Sequence, residues 1–330
     1  MGDAAWHLGL FEQPGESGSG GARGGRRRTA VSSHVPVLLA EVLALLRPRP
    51  AGRYPDVTVG LGGHAEALLR AAEPTGCLWG IDRDGEALAL AQQRLAPFGD
   101  RIRLLHGRYE ALPHLVGSVG PFDGILFDLG ASSYQLEEAD RGFSFGREGP
   151  LDMRMDRDAG GTAAELIGHL PERDLADLIF RWGEERWSRQ IARAIVRARQ
   201  EEPIATTTAL AAIVGRAIPR RLWPRHIHPA TRTFQALRIA VNEELAELGP
   251  ALERTTQLLA PGGRAAVISF HSLEDRIVKQ TWRRLEAEAG MRILTKRPIT
   301  PGEAEEAANP RSRSAKLRGL ERPAAAPEEA

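Results

Sequence analysis

A glycine-rich run followed at a fixed distance by an aspartate is the first chemical feature of this sequence. Gly60, Gly62 and Gly63 lie between an apolar run and a helical pattern, and Asp82 ends the next apolar run, 20 residues after Gly62. Glycines let the backbone approach a ligand at a helix N-terminus, and a carboxylate at this spacing can accept both hydroxyls of a ribose. The pattern fits a nicotinamide dinucleotide or S-adenosylmethionine, and a purely structural turn with a capping aspartate is a third interpretation.

Two later segments distinguish between those cofactors. Residues 258–263, Leu-Leu-Ala-Pro-Gly-Gly, precede an apolar run and resemble the loop before the fifth strand of class I methyltransferases. Residues 122–128, Phe-Asp-Gly-Ile-Leu-Phe-Asp, resemble the fourth strand of those enzymes, which delivers an acidic residue, here Asp128, toward the transferred methyl group. Two matches in the expected order favour methyl transfer. A nicotinamide oxidoreductase is the weaker alternative, because the sequence contains no visible second dinucleotide-binding half.

Strand and helix patterns alternate through the first third of the chain. A helical pattern at 37–46 is followed by predicted strands and helices in turn, and the strands are placed at 56–59, 77–82, 101–106 and 122–128. This alternation predicts a parallel sheet covered by helices. The sequence therefore predicts an α/β fold with a Rossmann-like sheet.

The alternation is interrupted and then resumes. A loop rich in charge and glycine at 137–161 leads into a helical stretch at 163–229, after which come an amphipathic segment at 231–259, a turn at 260–263 and a strand at 264–270. The interruption is too long for a simple crossover, so we predict an inserted helical domain. The predicted divisions are a tail at 1–32, sheet domain at 33–135 and 230–322, inserted domain at 136–229, and a disordered tail at 323–330.

Composition excludes several classes of protein. The 330 residues are 42% apolar and 26% charged, and 44 basic against 43 acidic residues give a net charge of +1, so a polyanionic partner must meet a local basic surface. Cys77 is the only cysteine, which allows no internal disulfide and suits a reducing cytosol. No apolar run approaches the roughly 18 residues of a membrane span. These features predict a cytoplasmic protein that is not embedded in a membrane.

The N-terminal tail, 1–32, contains glycine-rich sequence and arginines at 23 and 26–28 but no apolar core of a secretory signal. We predict a flexible extension. Its arginines can contact a polyanion, although an extension without a specific role is the simpler interpretation.

Six longer motifs give the chain a specific resemblance. It resembles the bacterial 16S ribosomal RNA cytosine-N4 methyltransferase family, known as MraW or RsmH, from about His34 to Arg322. The motifs are Asp-Leu-Gly-Ala-Ser-Ser at 128–133 with Gln135 after it, Arg-Gly-Phe-Ser-Phe at 141–145, Gly-Pro-Leu-Asp-Met-Arg-Met-Asp at 149–156, His-Pro-Ala-Thr-Arg-Thr-Phe-Gln-Ala at 228–236, Ile-Ser-Phe-His-Ser-Leu-Glu-Asp-Arg at 268–276, and Asn-Pro-Arg-Ser-Arg-Ser at 309–314.

The resemblance implies a class I methyltransferase sheet with an inserted substrate domain, and an enzyme that uses S-adenosylmethionine to methylate the N4 amine of a cytidine in the decoding region of 16S ribosomal RNA. It leaves open whether naked RNA or the small ribosomal subunit is the substrate, and the oligomeric state. A catalytically silent RNA-binding or assembly factor with the same fold is the alternative. The positions that match the family's cofactor-binding residues are Gly62, Gly63, His64, Asp82, Tyr109, Asp128 and Gln135.

The catalytic base is not identified by the motifs. The lone pair of cytosine N4 is delocalised into the ring, so the site must accept N–H hydrogen bonds as the amine loses a proton. Asp128 is a candidate for this role, with a cofactor contact as the alternative. Other amino methyltransferases carry Pro-Pro and an aromatic residue at this point, whereas Asp128 is followed by Leu-Gly-Ala-Ser-Ser. Their mechanism is therefore not transferred directly.

His271 follows the predicted fifth strand, where it can face RNA. Ser272 and Asp275 fit a capping box, so we assign the N-cap of the next helix to Ser272. His226, His228 and His271 have no metal-ligand spacing, so no metal site is predicted.

Arginine is concentrated in the predicted inserted domain. Between Arg181 and Arg232 there are eleven arginines and four acidic residues. Four of them recur at spacings of three, four and four, which places them on one helix face that can follow RNA phosphates. A solvated helix face is the ordinary alternative. These four residues are Arg186, Arg189, Arg193 and Arg197.

Overall fold

Seven strands form one mixed sheet in the part of the chain that the computed structural model describes, residues 35–324. The strands are β1 (Arg53–Asp56), β2 (Cys77–Asp82), β3 (Ile102–His106), β4 (Phe122–Asp128), β5 (Leu259–Ser269), β6 (Arg292–Ile293) and β7 (Lys316–Glu321). Their order is β3-β2-β1-β4-β5-β7-β6, with β7 antiparallel to both neighbours and the other pairs parallel. This order is typical of class I methyltransferases, so the predicted fold class is confirmed.

Thirteen α-helices accompany the sheet within residues 35–324. They are α1 (Leu39–Leu46), α2 (Gly63–Ala71), α3 (Gly85–Leu95), α4 (Leu112–Val116), α5 (Ser133–Glu137), α6 (Ala163–His169), α7 (Glu172–Gly183), α8 (Ser188–Glu201), α9 (Thr207–Ala217), α10 (Thr231–Asn242), α11 (Leu248–Thr256), α12 (Ser272–Ala289) and α13 (Glu303–Ala308). The predicted tail at 1–32 lies outside the described residues, as does all but the start of the tail at 323–330.

Both faces of the sheet are buried, which explains the continuous apolar character of β4. Side chains alternate between the faces of a strand, so Leu126 packs with α1, α2 and α3 on one side. Ile125 and Phe127 pack on the other side with α4, α11 and α12. A strand covered on both faces has apolar residues at nearly every position, as the sequence of β4 shows.

The first strand differs from its prediction. Strand pairing ends at Asp56, and the residues that follow it form a turn. Val57 and Val59 are buried, and their amides donate to carbonyl oxygens of Leu126 and Ile81 at 3.0 and 2.9 Å. The apolar residues at 57–59 therefore anchor a loop between β2 and β4.

Helices α6 to α10 form a helical unit with its own core. Leu175, Ile191, Ile195, Phe234 and Leu237 are among its buried residues. Burying a side chain of this kind contributes about 1.5–3 kcal/mol. The amphipathic helices therefore bury their apolar faces against one another, in a core separate from those of the sheet. The domain divisions at 136 and 229 stay a prediction. By packing, α10 lies with the helical unit.

The predicted amphipathic segment at 231–259 contains two helices. The first ends at Asn242, and Glu243 adopts a left-handed conformation with φ of 51° before α11 begins. The buried Asn242 side chain bonds to the backbone of Met153 and Met155 at 2.8 Å, which fixes the end of α10. None of the helices at 35–324 is long and apolar enough to span a membrane.

Candidate active site

Two adjoining cavities lie at the carboxyl ends of β1, β2, β4 and β5. The larger has a volume of about 490 Å³ and the smaller about 60 Å³. Thr58, Leu129 and Gly130 line both, so the cavities form two parts of one crevice. The strand order reverses between β1 and β4, and ligands of open α/β sheets bind at such a point.

The glycine run forms the turn between β1 and α2. Gly62 is the N-cap of α2 with φ of 80°, a left-handed conformation that favours glycine. A Cβ on Gly63 would lie 2.6 Å from Cγ of Pro36, so this glycine lets the segment before α1 pack closely on the turn. Gly63 and His64 line the larger cavity.

Asp82 ends β2 and faces the smaller cavity. Its Oδ2 accepts a hydrogen bond from the Gly60 amide at 2.8 Å, and its Oδ1 accepts one from the Asp84 amide at 2.9 Å. A carboxylate has about four acceptor positions, so two remain for hydroxyl groups of a ligand. Burial raises the pKa of Asp82 to about 6, against the opposing effect of these backbone hydrogen bonds.

Tyr109 and Gln135 form other walls of the smaller cavity. The Tyr109 hydroxyl donates to the Glu244 carbonyl at 2.9 Å, and burial raises the pKa of that hydroxyl. The Gln135 amide accepts from Ser132 N at 2.9 Å and donates to Asp84 Oδ2 at 2.8 Å. Both side chains are thus held before any ligand binds. The structure brings Asp82, Tyr109 and Gln135 together, as the family match implies.

Asp128 ends β4 and lines the larger cavity. Its Oδ2 lies 3.4 Å from Nδ1 of the buried His64, whose Nε2 lies 3.0 Å from the Val37 carbonyl oxygen. A carbonyl oxygen can only accept, so Nε2 carries a proton, and a second proton on Nδ1 lets His64 donate to Asp128. Burial lowers the pKa of His64, but Asp128 and Asp56 outweigh it and raise this pKa overall.

The two oxygens of Asp128 differ in their surroundings. Oδ2 is held by His64, whereas Oδ1 is buried and has no hydrogen-bond partner within residues 35–324. The Asp128 amide also donates to Oγ1 of Thr58 at 2.6 Å, which fixes the backbone at the end of the strand. Asp128 therefore lines the crevice as an oriented carboxylate whose side chain is 28% exposed.

Asp56 is a third carboxylate at this edge of the sheet, and the sequence analysis did not assign it to the site. It is 1% exposed, and burial raises its pKa to about 7. Asp56 lines neither cavity, and the nearby charges of His64 and Asp128 act on its pKa in opposite directions.

Arg141 has a buried structural role beside the site that the sequence analysis did not identify. Its side chain is 1% exposed, and Nη1 donates to Asp84 at 2.7 Å and to Glu86 at 3.1 Å. Nη2 donates to the carbonyl oxygens of Arg154 and Met155. Asp84 also holds Asp82 and Gln135, so Arg141 joins the loop after β2 to the start of the helical unit. The motif at 141–145 was visible in the sequence, but its buried partner was not.

His271 lies between β5 and α12, and its position corrects the assignment of the helix cap. The N-cap is His271, whose Nδ1 accepts from the Glu274 amide at 3.4 Å, while Glu274 accepts from the Phe270 and His271 amides. Ser272 instead contacts Glu184 on the helical unit. The capping box therefore uses 271 and 274, one residue earlier than predicted. His271 also lines the larger cavity.

Glu244, His271 and Glu274 are close enough together for a metal ion among the described residues. However, Arg238 donates to both oxygens of Glu244 at 2.9 Å, and Glu274 accepts two backbone amides. A cation at this cluster would have to displace the guanidinium group. We therefore assign these residues to a structural network in the wall of the crevice.

Aromatic side chains from distant parts of the chain line the larger cavity. They are Phe143, Phe145, Phe234 and Phe270. Asn309 lies in the same wall, and its side-chain Nδ2 is buried without a partner within the described residues. A planar ring fits between these apolar walls, with the Asp128 carboxylate in the same lining.

The predicted arginine face lies on the surface of the helical unit. Arg189, Arg193 and Arg197 are exposed on α8, and Arg186 precedes this helix and lies over the Trp187 ring at 5.7 Å. Ile191 and Ile195 are buried on the opposite face, as the spacing predicts. These four arginines do not line either cavity. Their contact with RNA stays a prediction.

Comparison with known proteins gives a consistent result. Residues 31–323 match the profile of the MraW methylase family. A relative from Citrifermentans bemidjiense is 49% identical over 308 residues, covering 88% of this chain and 98% of the relative. Relatives from Geobacter sulfurreducens and Pelobacter propionicus are 50% and 51% identical over 307 residues, covering 88% of this chain and 99% and 98% of the relatives. All three are named ribosomal RNA small subunit methyltransferase H.

Proposed function

The chain belongs to the MraW methylase family, and from this premise we propose that it methylates the N4 amine of a cytidine in 16S ribosomal RNA. The enzyme is a small-subunit ribosomal RNA methyltransferase that uses S-adenosylmethionine. The observation that carries the finer assignment is the partly exposed carboxylate of Asp128, which is held by His64 in the wall of an aromatic cavity. The substrate locates the enzyme in the cytoplasm, where ribosomes are assembled.

The cofactor is held by the residues at the carboxyl ends of β1, β2 and β4. Asp82 accepts the ribose hydroxyls, Tyr109 and Gln135 enclose the adenosine, and the turn at Gly62, Gly63 and His64 supports the remainder. When bound, S-adenosylmethionine supplies an electrophilic methyl group.

The substrate amine is bound in the larger cavity. A stacked cytosine cannot reach the crevice, so the target base must leave its stack and enter between the aromatic walls. The Asp128 carboxylate accepts the amine N–H and orients the nitrogen lone pair toward the methyl group. As the methyl group passes from sulfur to this nitrogen, the nitrogen loses a proton and Asp128 takes it. His64 keeps Asp128 oriented through Oδ2.

The RNA around the target contacts the helical unit. The arginine face at Arg186, Arg189, Arg193 and Arg197 follows phosphates, and His271 contributes at the cavity wall. The partner is 16S ribosomal RNA, within the small ribosomal subunit. Because α10 belongs to the helical unit and contributes Phe234 to the cavity, RNA bound to this unit is directed to the site of methyl transfer.

Transfer of labelled methyl from S-adenosylmethionine to 30S subunits and to naked 16S RNA tests the proposal, with nucleoside analysis of the product. We expect N4-methylcytidine with the wild type and a loss of product with Asp82→Ala. Cofactor binding without transfer to either substrate would indicate another acceptor. Absence of cofactor binding would contradict an enzymatic role and favour a silent assembly factor.

A further inference from the structure

A chain of aromatic rings leads from the larger cavity to the surface. Phe234 and Phe145 line the cavity and pack edge to face with ring centroids 4.7 Å apart. The His228 ring lies 4.7 Å from Phe145 on the side outside the cavity lining, and Trp223 lies 6.0 Å from His228. We call these four residues the aromatic ladder. His228 is exposed and Trp223 partly exposed, so its outer half is open to solvent.

The segment that carries the outer half of the ladder is strongly basic. Between 216 and 232 there are five arginines and no aspartate or glutamate. All five arginines are exposed, and no carboxylate within residues 35–324 forms an ion pair with any of them at 4.0 Å or less. The Arg220 guanidinium lies over the Trp223 ring at 5.8 Å, and Ile227 is 43% exposed.

Unpaired arginines beside exposed rings are the chemistry of single-stranded nucleic-acid binding. Bases stack on aromatic and guanidinium planes, and the arginines neutralise the phosphates between them. A helix face that carries only arginines can bind any polyanion. Aromatic rings that continue from the wall of a cavity favour binding of unstacked bases. The continuity of the ladder with the cavity wall places these bases next to the target.

On the basis of the proposed function, we propose that the outer half of the aromatic ladder, His228 and Trp223, stacks the nucleotide that flanks the target cytidine. This surface holds the RNA strand in the open form while the target base occupies the cavity. It is separate from the arginine face of α8, which does not carry this series of rings. The ladder thus selects an RNA that is single-stranded beside the target.

Two variants remove the rings with little change to the backbone. Asn at position 228 can accept the Ala230 amide hydrogen bond that His228 Nδ1 accepts at 3.2 Å, so His228→Asn removes the ring alone. Trp223→Ala removes the second ring, and Trp223→Phe restores a stacking surface without the indole N–H that bonds to Ile218. Thermal unfolding of each full-length variant shows whether it is folded.

The test measures binding of RNA oligonucleotides that contain the target, with and without an abasic site at each neighbouring position. Loss of one stacked base weakens binding by roughly 5- to 150-fold, so we expect His228→Asn and Trp223→Ala to raise the Kd for intact RNA within that range. Trp223→Phe should recover most of the affinity. The Kd for S-adenosylmethionine and kcat at saturating RNA should stay unchanged, while KM for RNA rises.

The double comparison of variant and abasic RNA decides the proposal. If the ladder stacks a neighbouring base, the variant and the wild type bind RNA that lacks that base with the same affinity. If the variant weakens binding by the same factor on intact RNA and on RNA that is abasic at either neighbouring position, the proposal is overturned. Weaker activity on assembled subunits with unchanged oligonucleotide binding would assign the surface to a ribosomal protein and also overturn it. Lack of methyl transfer by the wild type would instead reject the proposed function.

Arginine variants separate stacking from general charge. Arg220→Gln and Arg225→Gln should each lower the slope of log Kd against log salt by about one, which corresponds to the loss of one phosphate contact. Arg283→Gln is the matched control, because Arg283 is exposed on α12 and lies in neither cavity lining. Equal effects from all three variants would contradict a local binding surface at 216–232.

Discussion

At the scale of single residues, the proposed chemistry depends on the orientation of Asp128. His64 lies 3.4 Å from Oδ2, so the carboxylate is oriented before the substrate arrives. Such preorganisation avoids the cost of rearranging the side chain during the reaction. The sequence predicted Asp128 as a candidate, but only the structure shows that His64 orients it.

Asp128→Asn tests this assignment. The amide cannot take the amine proton, so we expect kcat to fall by about 100-fold or more, the usual contribution of a general base. The Kd for S-adenosylmethionine should change little. Asp123→Asn, at the start of the same strand, is the control and should keep kcat near that of the wild type. If cofactor affinity falls as steeply as kcat, Asp128 acts on the cofactor and not on the amine.

Asp82 gives cofactor binding a pH dependence. Its pKa is raised to about 6, so this carboxylate, which we propose accepts the ribose hydroxyls, is protonated below that value and ionised above it. Affinity should therefore increase as pH rises through 6 and level off above 7. Calorimetric titration between pH 5 and 8 measures this change. Asp82→Asn should weaken binding about tenfold at pH 8, equivalent to about 1.4 kcal/mol, and show a flatter profile. An unchanged profile in the variant would assign the titration to another group.

Capping shows where residue-level prediction fails. The spacing of Ser272 and Asp275 fits the usual template, but a histidine ring nitrogen is also an acceptor and His271 occupies the N-cap position. A side chain that points to the helical unit cannot cap α12, and Ser272 contacts Glu184 there. Its direction depends on a tertiary contact that the local sequence does not contain.

At the scale of secondary structure, strands covered on both faces were the most predictable elements. Both β2 and β4 occupy the predicted residues, because an apolar run bounded by polar residues identifies a buried strand. The end of β1 was predicted three residues too late, since Val57 and Val59 are buried in a loop. The break at Glu243 was missed because a charged residue in a left-handed conformation carries no sequence signature.

Arg141 connects elements that are distant in the sequence, so its loss should affect stability and the cofactor site together. Arg141→Met leaves the buried Asp84 carboxylate without its cation, and we expect the free energy of unfolding to fall by about 3 kcal/mol or more. Denaturant unfolding measures this change. The double variant Asp84→Asn/Arg141→Met removes both charges and keeps an N-cap for α3, so it should recover part of the loss. A double variant less stable than the sum of its parts would contradict a charge-pair explanation.

At the scale of the whole molecule, near-neutral net charge conceals a local basic surface. The chain carries a net charge of +1, yet the arginines of α8 are concentrated on one exposed face. The charge pattern and the change from alternating to helical patterns are both local features, so both are visible in the sequence; the domain divisions drawn from them stay a prediction. The composition of the larger cavity was not predictable from the sequence. Its wall combines Phe145, Phe234 and Asn309, which come from three separate motifs.

Replacing Arg189, Arg193 and Arg197 together with Gln tests this surface. If each neutralises a phosphate, the slope of log Kd against log salt for 16S RNA should decrease by about three. Binding measured at several salt concentrations gives the slope. S-adenosylmethionine binding should not change, because these side chains do not line the crevice. An unchanged slope would identify the arginine face as solvated and without a phosphate contact.

The position of the helical unit between two neighbouring strands has a consequence for synthesis. β4 pairs with β5, although about 130 residues separate them, so the centre of the sheet waits for the later strand to leave the ribosome. The helical core lies within one continuous stretch, 151–237, and depends on contacts closer in sequence. We expect pulse-labelled hydrogen exchange during refolding to protect α7 and α8 before β4 and β5; the reverse order would contradict this. During translation, the surface proposed to bind RNA then acquires its shape before the edge of the sheet that carries the crevice is complete.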